Sequence, residues 1–298
     1  MPPTADRPRP RIGAYVLAAD PTWLTSTVAR YYDVLDDLAV IAAADGAGWT
    51  GAPIEAQRCV DLVRGIDTRG IVRVVHGRWR DTADPLRAET AQRQAAIDSF
   101  TRVDWVIQLD GDELLPDPAP LLAAMTAADH LGLDAIEWPM RVLFRRRRNG
   151  SYLEVTDAAG RAHFEYPGPV AVRPRVTLTE ARRAEGGFLR MAVHDDDTSW
   201  QLTAPAAPGE VRRPDLLASQ AVVHNSWARD PRAVRRKLAS WGHHGGRRTR
   251  VYFALCWLPS TVTWRLLRDF HPLFRPLWPR LAPCAAEVDP MLRPADRG

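Results

Sequence analysis

From Arg11 to about Ala128, short apolar runs alternate with stretches whose apolar residues recur at helical spacing, the pattern of a parallel sheet covered by crossover helices. Ile12 to Ala18 predicts the first strand, after which Asp20-Pro21 is expected to cap a helix carrying Leu24, Val28, Tyr31 and Leu35 on one face. Leu38 to Ala43 predicts a second strand ending in the loop Asp45-Gly46-Ala47-Gly48, followed by a helix around Ile54 to Val63 and a strand at Ile71 to Val75. Asp84-Pro85 opens a helix that runs through Phe100. Val103 to Leu109 then reads as a strand apolar on both faces, as central parallel strands are.

Beyond Asp134 the pattern loosens. Ala135 to Phe144 predicts one long strand, while Arg145 to Gly150 and Thr156 to Pro169 read as loops rich in Arg, Gly and Pro. Gln220 to His224 predicts another strand, and Asp230-Pro231 starts a helix with Val234, Leu238 and Trp241 on one face. Past a break at Gly245-Gly246, the tail mixes Trp257, Trp264, Phe270, Phe274 and Trp278 with Arg265, Arg268, Arg275 and Arg280. The expected division is therefore a disordered segment 1–10, a domain 11–246 with halves 11–128 and 129–246, and a helical, aromatic and Arg-rich tail 247–298.

Composition narrows the classes. At 298 residues and 46% hydrophobic content the chain can bury a large core, and a net charge of +4 falls far short of a nucleic-acid packing protein. Nearly all the positive charge is Arg; Lys237 is the one lysine. Cys59, Cys256 and Cys284 show no paired or metal spacing, which fits a reducing compartment. The Pro- and Arg-rich start lacks the apolar run of a signal peptide, and no stretch is long and apolar enough to span a bilayer. The expectation is a cytoplasmic protein, peripheral at a membrane at most, with the tail as the segment for such contact.

The chemistry concentrates in Asp104-Trp105-Val106-Ile107-Gln108-Leu109-Asp110-Gly111-Asp112-Glu113, a hydrophobic strand ending in acids separated by one glycine. In open α/β sheets ligands sit beyond the carboxyl ends of the strands, so these acids emerge where a substrate would bind. Two carboxylates this close repel unless a cation lies near them. Oxygen ligands favour Mg²⁺ or Mn²⁺, which complete their shells with water and substrate phosphates, so a nucleoside diphosphate fits. The plain alternative is a solvated turn in which Asp and Gly stop a strand.

With the preceding helix Glu89 to Ile97 (ETAQRQAAI) and the following Leu114-Leu115, this text resembles the family 2 glycosyltransferases and their GT-A-fold relatives. The resemblance covers Arg11 to about Pro118. It implies a GT-A-like, Rossmann-type α/β fold with a mostly parallel sheet and flanking helices, to which the chain's own pattern adds a C-terminal helical extension. The implied activity is hexosyl transfer from a nucleotide-sugar donor to a glycan, lipid or small-molecule acceptor. Asp110 and Asp112 match the acids that hold Mn²⁺ or Mg²⁺ on the donor diphosphate, and His224 matches a late histidine that completes the metal shell. Asp45 matches an acid near the nucleotide base. Asp20 stands near the usual nucleotide-contacting loop, although Ala18-Ala19-Asp20-Pro21 replaces the Asn-Glu pair of many relatives. Arg93 corresponds to a basic residue that contacts donor phosphates; the alternative is an exposed helix arginine. For an inverting reaction the base candidates are Asp195 and Asp196, with Asp197 beside them, and Glu137 as their rival.

Two other readings compete. Asp110-Gly111-Asp112-Glu113-Leu114 approaches the nucleophile motif of haloacid-dehalogenase-type phosphatases, but the motif sits on a late strand and Leu114 replaces its Thr or Val. Arg145-Arg146-Arg147-Arg148 with the tail aromatics could instead serve a nucleic-acid contact surface, unaccompanied by any nucleic-acid-binding motif.

Overall fold

The structure, a computed structural model, describes residues 9–240, 247–272 and 277–284. Most of the expected N-terminal segment, and Trp241, Phe274 and Arg275, lie outside the described residues. Arg9 is described, and it pairs with Asp36 at 2.9 Å.

The alternating pattern of the N-terminal half folds as expected. Strands β1 (Ile12–Leu17), β2 (Asp37–Ala43), β3 (Val72–Gly77) and β4 (Trp105–Ile107) pair in parallel in the spatial order β3-β2-β1-β4. Both faces of these strands are apolar because both are covered. Ala14, Val16, Leu38, Val40, Trp105 and Ile107 join the core shared with helices α1 (Leu24–Ala29) and α2 (Ala56–Gly65). The alternate residues Tyr15, Ala39, Ile41 and Val106 pack with Ala96, Ile97 and Phe100 at the end of helix α3 (Pro85–Asp98). Gly13 on β1 faces that helix end closely; a Cβ there would come within 2.7 Å of the Phe100 ring.

Asp84 caps α3 as expected, accepting from the Arg87 amide at 3.0 Å. Asp20 does not cap α1. Its carboxylate takes the Thr22 amide and hydroxyl at 2.9 and 2.5 Å, and α1 starts later, from Trp23. Tyr31 and Leu35 are still buried, on a short 3-10 turn that follows the helix.

A two-residue strand β5 (Glu113–Leu114) and helix α4 (Ala119–Leu131) lead to the largest departure from expectation. The predicted strand from Ala135 to Phe144 is two strands in different sheets, β6 (Ala135–Glu137) and β7 (Met140–Arg146). Pro139 has no amide to give a ladder, and its carbonyl instead accepts from Val222 at 2.9 Å. The chain next forms β8 (Tyr152–Thr156), β9 (Phe164–Glu165), β10 (Pro169–Val172), a hairpin of β11 (Leu178–Glu180) and β12 (Arg183–Ala184), and β13 (Phe188–Val193). After the short helix α5 (Trp200–Thr203) come β14 (Glu210–Leu216), β15 (Val222–His224) and helix α6 (Pro231–Ser240).

The first sheet thus has eight strands, ordered β14-β13-β6-β10-β4-β1-β2-β3. Only β10 runs antiparallel to its neighbours, so the sheet is mostly parallel, with helices on its faces. The second sheet stacks β8-β7-β15-β5 and is completed by the tail, where β16 (Arg280–Pro283) pairs antiparallel with β8. The tail is therefore not wholly helical. Helix α7 (Arg247–Tyr252) runs into helical turns, and Phe253, Trp257, Phe270 and Trp278 share one core with Phe144 and Trp227. The four-arginine run is not a uniform exposed patch either. Arg145 is buried, with its guanidinium 3.6 Å from the Trp257 ring centre.

Candidate active site

A cavity of about 1370 Å³ opens beyond the carboxyl ends of β1, β2 and β4, where an open α/β sheet places its ligands. The segment after β1 contributes Ala18 to Asp20, the loop after β2 contributes Ala47 to Trp49, and the loop after β4 contributes Asp110 to Glu113. His224, Arg229 and Lys237 close one side, and the tail adds His271, Leu277 and Trp278. The volume exceeds the roughly 300–1,000 Å³ of a typical small-ligand pocket.

The acids are not left to repel. The Asp110 carboxylate accepts from Arg93 at 3.0 Å and from Arg182 at 2.9 Å. Arg182 is also bidentate on Glu113, at 2.7 and 2.9 Å, and Glu113 in turn accepts from the Asp110 amide at 2.9 Å. Arg93, 2% exposed, reaches back along α3 to Glu89 at 2.9 Å. Burial alone would raise the Asp110 pKa, but Arg93 and Arg182 outweigh it and hold the carboxyl well below its usual range. The same two acids raise Arg182 against its burial, so it stays charged. Ala181 adopts φ 48 on the turn that aims Arg182 inward, a left-handed conformation held by a 2.8 Å bond from its amide to Thr90.

Asp112 faces a second group of cations. One carboxylate oxygen accepts from Lys237 at 2.9 Å and from Arg229, which also grips Asp20. Lys237 donates in addition to Ser226 at 2.7 Å. The other oxygen lies 3.8 Å from His224 Nε2. Antiparallel pairing of β5 with β15 sets Glu113 opposite His224 and so brings the histidine beside the acidic loop. Burial raises the Asp112 pKa, but Lys237 and His224 prevail and lower it.

Among the described residues no three His, Cys, Asp or Glu side chains form a ready metal cage. An ion that keeps water and substrate phosphates needs only one or two carboxylates. Asp112 Oδ1 and His224 Nε2 fit that requirement, whereas the Asp110 carboxylate is occupied by two guanidiniums.

The structure brings Asp20, Arg93, Asp110, Asp112 and His224 to one cavity. Arg93 is not an exposed helix arginine; it orients Asp110 from behind. The remaining expected residues sit elsewhere. Asp45 is exposed on a turn, where it accepts from the Ala47 amide at 3.2 Å, although its loop borders the cavity. Asp195 is exposed beside His194, and Asp197 is exposed and paired with Arg161 at 2.9 Å. Asp196 is a turn acid that accepts from Ser199 Oγ at 2.6 Å and from the Tyr166 hydroxyl at 3.1 Å. Glu137 on β6 points at Arg190 across the sheet, 2.9 Å away. None of these five carboxylates belongs to the cavity wall among the described residues.

The wall holds a carboxylate that the sequence did not single out. Glu165 on β9 faces the cavity and accepts from the Trp278 indole. Burial raises its pKa, with Trp278 and His224 pulling the other way. Arg182, Arg229 and Glu113 were also missed as site residues. They come from the β11–β12 turn, the segment after β15 and the motif itself, and only Glu113 adjoined the recognised signal.

No protein-family model and no curated protein matches the chain. Among solved structures, similarity extends to the 4-diphosphocytidyl-2C-methyl-D-erythritol synthase of Anaerococcus prevotii DSM 20548. That match is 12% identical, covers 56% of this chain and 71% of that one, and has a TM-score of 0.33. A CMP:2-keto-3-deoxy-manno-octonic acid synthetase in complex with CTP is 10% identical over 55% of this chain and 74% of its own, also with a TM-score of 0.33. Likeness at that level fixes neither activity nor ligand.

Proposed function

We propose that the chain is a metal-dependent glycosyltransferase that moves a sugar from a nucleotide-sugar donor to an acceptor. One observation carries the reading. Asp112, His224, Arg229 and Lys237 meet at the carboxyl end of the β4 strand, in a cavity of about 1370 Å³. Asp112 and His224 are the residues that would hold Mn²⁺ or Mg²⁺ against the donor diphosphate, with Asp110 set behind them by Arg93 and Arg182. A divalent ion held there would supply positive charge to the departing nucleoside diphosphate.

The chain's own residues act on the same charge. Arg229 and Lys237, fixed on Asp112 before any substrate arrives, present positive charge where the leaving group becomes more negative, and preorganised charge of this kind lowers a barrier most. The loop carrying Gly48 and Trp49 lines the cavity and would border the nucleotide, and Trp49 is locked by a 2.6 Å bond from its indole to Gln92. Glu165, a carboxylate on the cavity wall, would take the acceptor hydroxyl's proton as the new bond forms. A phosphatase of the dehalogenase type would instead need Asp110 free as a nucleophile, and both of its oxygens face arginines.

Calorimetric titration with a panel of nucleoside diphosphates, with and without Mn²⁺, tests the proposal. Metal-dependent binding of one nucleotide, lost in Asp112→Asn, is expected. If no nucleotide binds with metal present, the reading fails.

A further inference from the structure

We infer that the outward face of the helical run from Arg248 to Arg268 docks on an anionic lipid surface. This inference goes beyond the transferase reading and stands without it. Phe253, Trp257 and Ser260 face inward, and Trp257 is tied down by bonds from its indole to the Trp227 and Phe144 carbonyls at 3.1 and 3.3 Å. The outward side carries Val251, Leu255, Leu258, Val262 and Leu266, all exposed and interleaved along the run with those inward residues. Leu255 is 75% exposed, and Val262 and Leu266 are each 78% exposed. Single apolar residues on a surface are ordinary, but a row of five along one side marks an interaction face.

The flanking charge says what covers it. Arg248 and Arg250 stand exposed at one end and Arg265 and Arg268 at the other, and no acidic residue occurs between them. A second copy meeting the same face would set arginines against arginines, because a two-fold contact pairs a patch with itself. An apolar row between guanidiniums matches acyl chains beneath anionic headgroups, the arrangement interfacial helices use. No described helix is long and apolar enough to cross a membrane, so the segment would lie on the surface. Beyond Arg268 the tail returns to the cavity through His271, Leu277 and Trp278, so docking would hold the cavity near the bilayer.

Co-sedimentation of the full chain with vesicles tests this, using phosphatidylcholine alone or mixed with phosphatidylglycerol. Binding is expected to the mixed vesicles, to weaken with added salt, and to fall about tenfold or more in the triple variant Leu255→Glu, Val262→Glu, Leu266→Glu. The pair Arg265→Gln, Arg268→Gln should lose the preference for phosphatidylglycerol, which keeps the test decisive if the triple variant unfolds by circular dichroism. Absence of binding to the mixed vesicles overturns the inference, as does equal binding by either folded variant. So does sedimentation velocity showing a dimer that the variants dissolve, since the face would then be covered by another copy.

Discussion

Where the loop after β4 meets the cavity, the wall is built of charge. Glu89, Arg93, Asp110, Arg182 and Glu113 form a chain of contacts at 2.7–3.0 Å, nearly all of it buried. The wall that the tail contributes is built of rings, with Trp278 and Phe270 against Phe144 and Trp227 at centroid distances of 5.0–5.8 Å. The two solve the same problem differently. Ring packing is broad and non-directional, so its loss scales with the volume removed. A buried ionic chain holds each carboxylate in one orientation, but every member depends on its partners, since an unpaired buried charge is far costlier than a small void.

Arg182→Met is the strongest way to break that comparison. It leaves Glu113, 1% exposed, without its cation and removes one of the two guanidiniums on Asp110. A loss of about 3–5 kcal/mol of stability is expected, read from urea unfolding. Adding Glu113→Gln should recover part of it, because the stranded charge goes too. A cost under about 1 kcal/mol would mean that the ionic wall contributes orientation but no stability.

On the aromatic side, Trp278→Ala should cost about 3 kcal/mol, at the low end for a buried tryptophan because its side chain already borders an open cavity. Trp278→Phe keeps most of the packing but removes the donor to Glu165, so its stability should change by only about 1 kcal/mol. If the two substitutions were equally damaging, the indole bond rather than ring volume would hold this wall.

Glu165 joins the two walls, and its proposed role is sharpened by Glu165→Gln. With the donor identified by titration, turnover should fall about a hundredfold while nucleotide affinity stays unchanged. Unchanged turnover would remove Glu165 from the chemistry. Reduced nucleotide affinity would move it to the donor site.

The difference between the walls also governs what the sequence discloses. Strands β1 to β4 and helix α3 were legible because continuous apolar runs and helical patterns, an N-cap at Asp84 and a proline at its start all agree locally. Asp110 and Asp112 stood out because two acids end a hydrophobic strand. Their partners did not: Arg182 is 72 residues away from Asp110, and Lys237 is 125 from Asp112, with no local pattern to mark either. Glu165 escaped for the same reason, lying in a stretch read as loop. The break at Pro139 was visible as a proline, but the apolar residues on either side outweighed it when the strand was read as continuous. Asp195 to Asp197 attracted attention as a run of acids, and the fold uses them in turns and exposed pairs.

A third charged cluster, outside the cavity, asks whether the number of cations in contact with a buried acid decides which way it shifts. Asp110 has Arg93 and Arg182 and is shifted down. Glu137 has Arg190 at 2.9 Å, but Arg190 is shared with Glu210 at 3.1 Å, and Glu210 takes Arg212 as well. Burial, offset by Arg190 and reinforced by Glu210, pushes Glu137 up from 4.5 to about 7. Because the folded value lies above the ordinary one, the contribution to stability is fully present below about 4.5 and is lost as pH rises through about 7. Relative to Glu137→Gln, the wild-type chain should therefore lose stability across that window. The expected loss, on the order of 1 kcal/mol once the surroundings relax, is measurable by urea unfolding at several pH values. The opposite trend, with wild type gaining on the variant as pH rises, would show that one shared guanidinium is enough to keep Glu137 charged. The cation count would then not explain why Asp110 and Glu137 differ.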